Sequence, residues 1–218
     1  MESKLKTIAA LSLAASWAAA SASAATVTYS NTHTTPKLQL IVDDDASPGT
    51  YRFSMSTTVG TADFLALGFN YSGISLAQTD FSLVSATRAD DTPISPSLAL
   101  FGDNTGSQSD CGAGCNFNGS GSASSFDYIL RIGQQGGGGD NYVKTVVFDL
   151  TAPGSLDMNP FSQFAARAQS TTNPEGSIKA DLIPPLGEPP TPVPIPAGFP
   201  LLVGGLAAFS LVRKSRKA

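Results

Sequence analysis

The chain has little of what most enzyme chemistry requires. Its 218 residues include one histidine, two cysteines and one tryptophan. Any Ser-His-Asp or Cys-His mechanism would have to use His33. That residue sits in Asn31-Thr32-His33-Thr34-Thr35-Pro36, with no Gly-x-Ser-x-Gly elbow or His-Glu-x-x-His helix nearby. It reads as a histidine of a solvated loop or strand edge. Zinc takes three or four ligands, and two cysteines with one distant histidine do not complete the set. No catalytic residue, metal ligand or cofactor is assigned, and a hydrolase acting on matrix polysaccharide is the least favoured reading.

Charge is also scarce, at 14% of residues. Six of the thirteen basic residues lie at the two ends (Lys4, Lys6, Arg213, Lys214, Arg216, Lys217). Residues 25–192 then hold seven basic against sixteen acidic side chains, a net charge of −9. A body of that sign repels phosphate backbones and anionic membrane surfaces, which excludes nucleic acid as a partner. Long helical stripes are missing too. Outside the ends no window holds a helical period, and a turn near 156–163 is the one contender.

What is present is glycine, 21 residues of it, and short apolar bursts separated by Gly, Pro, Asn, Asp and Ser. This spacing predicts an all-β fold, a single jelly-roll-like β-sandwich over residues 25–182. Candidate strands are 25–29, 38–43, 50–58, 63–71, 81–88, 97–101, 125–133, 142–150, 161–169 and 177–181. Alternation is plain in Tyr51-Arg52-Phe53-Ser54-Met55-Ser56. The run Lys144 to Leu150 is apolar enough for a central strand.

The ends have a different character. Residues 1–24 combine Lys4 and Lys6, an apolar run over 8–20, and Ala22-Ser23-Ala24, the pattern of a secretory signal peptide cut by signal peptidase after Ala24, with a cut after Ala22 as the alternative. Residues 183–196 are proline-dense and predict an extended stalk. Residues 197–212 carry no charge; as a transmembrane helix they would span about 24 Å. The basic tail 213–218, with Arg213, Lys214, Arg216 and Lys217, would stay cytoplasmic and leave the acidic body outside.

The motif Val193-Pro194-Ile195-Pro196-Ala197, the apolar segment opening Gly198-Phe199-Pro200-Leu201-Leu202 and the basic end together resemble the VPLPA-CTERM variety of the PEP-CTERM sorting domain. Ile195 stands where that motif has Leu. The resemblance covers residues 193–218. It implies recognition by an exosortase, a membrane-embedded cysteine protease or transpeptidase, after anchoring in the inner membrane. Delivery to the cell surface or exopolysaccharide matrix would follow, with exopolysaccharide as a partner. Phe164-Ala165-Ala166-Arg167-Ala168-Gln169, followed by Pro174-Glu175-Gly176-Ser177-Ile178-Lys179, is loosely similar to the β-sandwich domains preceding such tails, implying a last strand that closes the domain.

Within the body, Cys111 and Cys115 flank Gly112-Ala113-Gly114. In an oxidising compartment a disulfide closing this loop is the natural outcome. Its loop is small, so its task is to shape the segment rather than to hold the fold. Asp43-Asp44-Asp45 and Asp90-Asp91 offer hard oxygen for calcium but lack EF-hand spacing, and read as solvated turns. Gly136 to Asp140 lacks a following Lys-Ser or Lys-Thr and reads as a flexible connection. Residues 102–125, rich in Gly, Ser and Asn, form the one long loop suited to binding, with carbohydrate or calcium the ligand classes of the adhesin alternative.

Overall fold

A computed structural model describes residues 26–47, 49–136, 139–151, 160–172 and 176–184. The signal segment with Ala24, the sorting motif Val193 to Ala197, the apolar segment 197–212 and the basic tail lie outside the described residues. Among the described residues no helix is long and apolar enough to cross a membrane.

The described chain is all-β. Eleven strands follow one another: β1 (Thr26–Ser30), β2 (Lys37–Ser47), β3 (Thr50–Val59), β4 (Asp63–Tyr71), β5 (Phe81–Thr87), β6 (Pro93–Ile94), β7 (Ala99–Gly102), β8 (Tyr128–Arg131), β9 (Thr145–Thr151), β10 (Phe161–Gln169) and β11 (Ser177–Leu182). They form a six-stranded sheet ordered β1-β2-β3-β9-β5-β6 and a five-stranded sheet ordered β11-β10-β4-β8-β7, with every pairing antiparallel. At one side Ser30 and Ile183 exchange backbone hydrogen bonds of 2.9 and 3.0 Å, tying the edge of one sheet to the edge of the other.

The inner faces follow directly from alternation. Leu38, Leu40 and Val42 of β2, Tyr51, Phe53 and Met55 of β3, and Val146, Phe148 and Leu150 of β9 point inward and are fully buried. Phe64, Leu67 and Phe69 of β4 with Phe164, Ala166 and Ala168 of β10 meet them from the other sheet. Aromatic rings carry much of this contact. Phe53 stacks on Phe148 at 5.0 Å, its direct cross-strand partner. Phe161 meets Tyr51 edge-on at 5.1 Å and Phe53 at 5.6 Å across the gap between sheets. Each such ring contributes about 1.5–3 kcal/mol by burial, with a smaller increment from the edge-to-face geometry.

Strand positions depart from expectation in several places: β7 (Ala99–Gly102) and β9 (Thr145–Thr151) both begin later than expected, and three further departures have a physical reason. β2 runs on through residues 43–45 to Ser47, so the backbone here is a strand and not a turn; Asp43 pairs with Thr26 and Arg52, and Asp44 is buried. β8 is shorter than 125–133, because Phe126 pairs with Gln108 as an isolated bridge instead. The two-residue β6 was not anticipated, since Pro93 cannot donate a ladder hydrogen bond and masks the signal.

Candidate functional site

β4 is buried along nearly its whole length, so its outer face needs a cover as much as its inner one. The reason is a bulge. Ala66 pairs with Arg167 and Phe64 with Ala168, leaving Leu65 as the extra residue. Leu65 and Ala66 both join an outer apolar cluster with Ile129 of β8 and Ala165 of β10. The segment between β7 and β8 lies over this face and supplies Cys111, Cys115, Phe117 and Phe126 to the same cluster. The loop is a folded cap with its own small core.

A glycine of β4 lets the cap lie close to the sheet. A Cβ on Gly68 of β4 would stand 2.7 Å from the ring of Phe126, so only the bare backbone lets that ring lie on the sheet. Phe117 meets Phe126 edge-on at 5.0 Å. Cys111 and Cys115 are joined by a disulfide with a Cα–Cα distance of 5.1 Å, and both are buried, at 0% and 1% exposure. The bond therefore sits inside the cap's core rather than at its rim.

Polar groups fasten the cap to the sheet. The guanidinium of Arg131 donates from Nη1 to the carbonyl of Cys111 at 3.2 Å, from Nη2 to Ala113 at 3.4 Å and from Nε to Gly133 at 3.1 Å. It thereby satisfies carbonyls of the tight loop that secondary structure leaves free. Asp110 Oδ1 accepts the Gly112 N–H at 2.6 Å, and Gln108 and Phe126 exchange two backbone hydrogen bonds of 2.9 Å. Asp181 of β11 accepts the Ala123 N–H at 2.9 Å. Asp127 accepts the Tyr71 N–H at 2.8 Å while its own N–H donates to Asn70. Lys179 Nζ donates to the carbonyl of Asn118.

His33 lies in the connection between β1 and β2, which contains the cis Thr35–Pro36 bond. Buried Asn31 shapes this connection by donating to the Pro36 carbonyl and accepting the Leu38 N–H, both at 3.0 Å. The loop meets the cap tip, where a cleft of about 510 Å³ is lined by His33, Gly119, Ser120, Gly121, Ser177 and Lys179. A second cleft, of about 370 Å³, opens beside Ser95, Ser97, Gln134 and Asn141, with the exposed Arg88–Asp140 ion pair at 2.9 Å on its rim.

The remaining candidates take structural parts. Asp90 Oδ1 accepts the Thr92 N–H at 3.0 Å, which together with the Thr92 hydroxyl holds its carboxyl below the usual range, and Asp91 ion-pairs with Lys144 at 2.7 Å. Asp90 is the self-bonded turn residue the sequence suggests, whereas the Asp91 carboxylate is held by Lys144 from outside the turn. Gly136 donates to Gln169 Oε1 at 3.3 Å, and residues 137–138 lie outside the described residues. Among the described residues no three of His, Cys, Asp or Glu gather as a metal site.

One buried carboxylate was missed in the sequence. Asp63 opens β4 and is fully inaccessible, accepting the Val143 N–H and the Gln169 side-chain N–H, each at 2.8 Å. Burial pushes its pKa above the usual 3.8, against the lowering effect of those two hydrogen bonds. The parts of Arg131 and Gly68 were missed as well. The available signal was β4 itself: Phe64-Leu65-Ala66-Leu67 is apolar without alternation, which calls for cover on both faces.

Comparison with known proteins gives no match: no family model, no curated protein and no solved structure matches the chain.

Proposed function

We propose that the chain is an exported, non-enzymatic surface or extracellular-matrix protein, a jelly-roll-like sandwich sorted by an exosortase through Val193 to Ala197. The single observation that carries this reading is the motif at 193–197 followed by an uncharged apolar segment and Arg213, Lys214, Arg216 and Lys217. The signal-like residues 1–24 point the same way. A disulfide buried inside a folded cap also supports it, because such bonds form and persist in oxidising compartments. The jelly-roll winding is supported by β3 and β4 pairing with β9 and β8, the chain between them being rolled across both sheets.

In this reading signal peptidase cuts after Ala24, residues 197–212 hold the protein in the inner membrane, and the exosortase then releases the acidic body to the surface or matrix. The test is the intact mass of the cell-surface protein. A product ending between Val193 and Ala197 is the expected result. A chain that retains Arg213 to Lys217 in the membrane fraction overturns the sorting step.

A further inference from the structure

The chain contains a single Asn-Gly pair, Asn118-Gly119, and the fold sets it at the exposed tip of the cap. Asparagine is at its most labile before glycine, because with no Cβ in the way the following backbone nitrogen can reach the asparagine side-chain carbonyl. The other asparagines of the described chain are placed differently. Asn31 is buried, and Asn70 is held by Gln163 and Asp127. Asn104, Asn116 and Asn141 precede Thr105, Phe117 and Tyr142, whose side chains hinder that approach.

The cap tip leaves the reacting groups open and sets a cation beside them. Asn118 and Gly119 are both exposed, and Gly119 has a φ of +99°. Among the described residues neither the Asn118 carboxamide nor the Gly119 N–H has a hydrogen-bond partner, so hydroxide and water reach both. Lys179 Nζ donates to the backbone carbonyl of Asn118 and lies 3.5 Å from the place a Gly119 Cβ would take. That carbonyl and the Gly119 nitrogen belong to one peptide group. When the nitrogen loses its proton, resonance spreads the negative charge onto the oxygen. An ammonium donating to that oxygen stabilises the anion and so raises the fraction of the nitrogen in its nucleophilic form.

We infer that Asn118 is a site of self-promoted deamidation, with Lys179 assisting from β11. Hydroxide takes the Gly119 N–H proton, and the nitrogen attacks Cγ of Asn118. The N–Cγ bond forms, the Cγ–Nδ2 bond breaks, and ammonia leaves with a proton drawn from water, closing a five-membered succinimide. Water then opens the ring at either carbonyl, giving aspartate or, through the other carbonyl, isoaspartate. The net change consumes one water and releases one ammonia, with no oxidant or reductant. The chain gains one negative charge beside the Lys179 ammonium, and the isoaspartate form adds a methylene to the backbone of the cap tip.

The experiment incubates the full-length chain in non-ionic detergent at neutral pH and follows each asparagine by peptide mapping with mass spectrometry, using fragmentation that separates aspartate from isoaspartate. Both products should accumulate at residue 118 ahead of residues 104, 116 and 141. Lys179→Met, of similar length but without a donor, should slow the conversion roughly tenfold. Lys179→Arg keeps a cationic donor and should retain most of the parent rate. Asn118→Gln, which would have to close a six-membered ring, should stay unmodified. If Lys179 served only to fasten the tip, its loss would loosen the loop and speed the reaction. A faster or equal rate in Lys179→Met therefore overturns the inference, and so does a parent protein in which Asn118 persists while other asparagines convert. None of these readouts depends on processing at residues 193–197.

Discussion

On the outer side of the six-stranded sheet, Thr28, Gln39, Arg52, Ser54 and Asp149 alternate with the core residues and stay half-exposed. On the outer side of the five-stranded sheet, Leu65, Ala66, Ile129 and Ala165 are buried beneath the segment that joins β7 to β8. The open face is held by backbone ladders, the bidentate Arg52–Asp149 pair with contacts of 2.8 Å, and the 2.7 Å Thr87–Thr145 hydroxyl bond. The covered face is held by rings, a disulfide and buried polar fastenings. An antiparallel sheet can leave one face to water, and this molecule does so once and declines to do so once. Residues rich in glycine and serine are therefore not idle here; they let a chain of low propensity lie close enough to the sheet to bury four large side chains.

The comparison is broken most severely at Phe126. Phe126→Ala removes the ring seated on Gly68 and should lower unfolding stability by about 3–5 kcal/mol. Ser54→Val on the open face should stay within about 0.5 kcal/mol of the parent. Urea denaturation of both variants measures the contrast, and equal losses would show that the cap adds nothing to the fold.

Replacing Cys111 and Cys115 together with Ala comes next. Closing so short a loop stabilises by about 2 kcal/mol on the chain-entropy account. Hydrogen exchange should locate the loss in the cap, with the Gln108 and Phe126 amides exchanging faster and the β2–β3 ladder unchanged. Uniform acceleration across both sheets would mean that the disulfide supports the whole sandwich.

The smallest effect concerns how each side handles a carboxylate. Asp149 is ion-paired on the open face, whereas Asp63 is buried behind the covered one. Because burial raises the Asp63 pKa above 3.8, the folded chain holds that proton more tightly than the unfolded one. Its contribution is therefore fully present below pH 3.8 and lost as pH rises through the folded value. Relative to Asp63→Asn, the parent protein should gain stability as pH falls from neutral toward 4, as measured by chemical denaturation across that range. A difference that does not vary with pH would show that Asp63 titrates as it does in the unfolded chain.

Much of the architecture was legible in the residues. Alternation in Tyr51 to Ser56 and the apolar run around Val146 to Leu150 mark β3 and β9, which are neighbours in the six-stranded sheet. The cysteine spacing marks the disulfide, and Asp90-Asp91 marks a turn. Residues 102–125 were legible as a long connection but not as a cap. Local propensity reads Gly, Ser and Asn as loop, and what orders them is an apolar face assembled from three strands distant in sequence.

The sequence by itself determined that this chain is built from short strands, that its body is acidic, that its cysteines lie close enough to join, and that its two ends differ in kind from the body. Those properties live in period, composition and spacing. Only the tertiary structure decided which sheet face is covered, that the disulfide lies at the centre of a second small core, and that Arg167 and Lys179 stand opposed beside a cleft. Each of these depends on register and bulge between strands far apart in the chain, and a single sequence carries no local signal for such pairings.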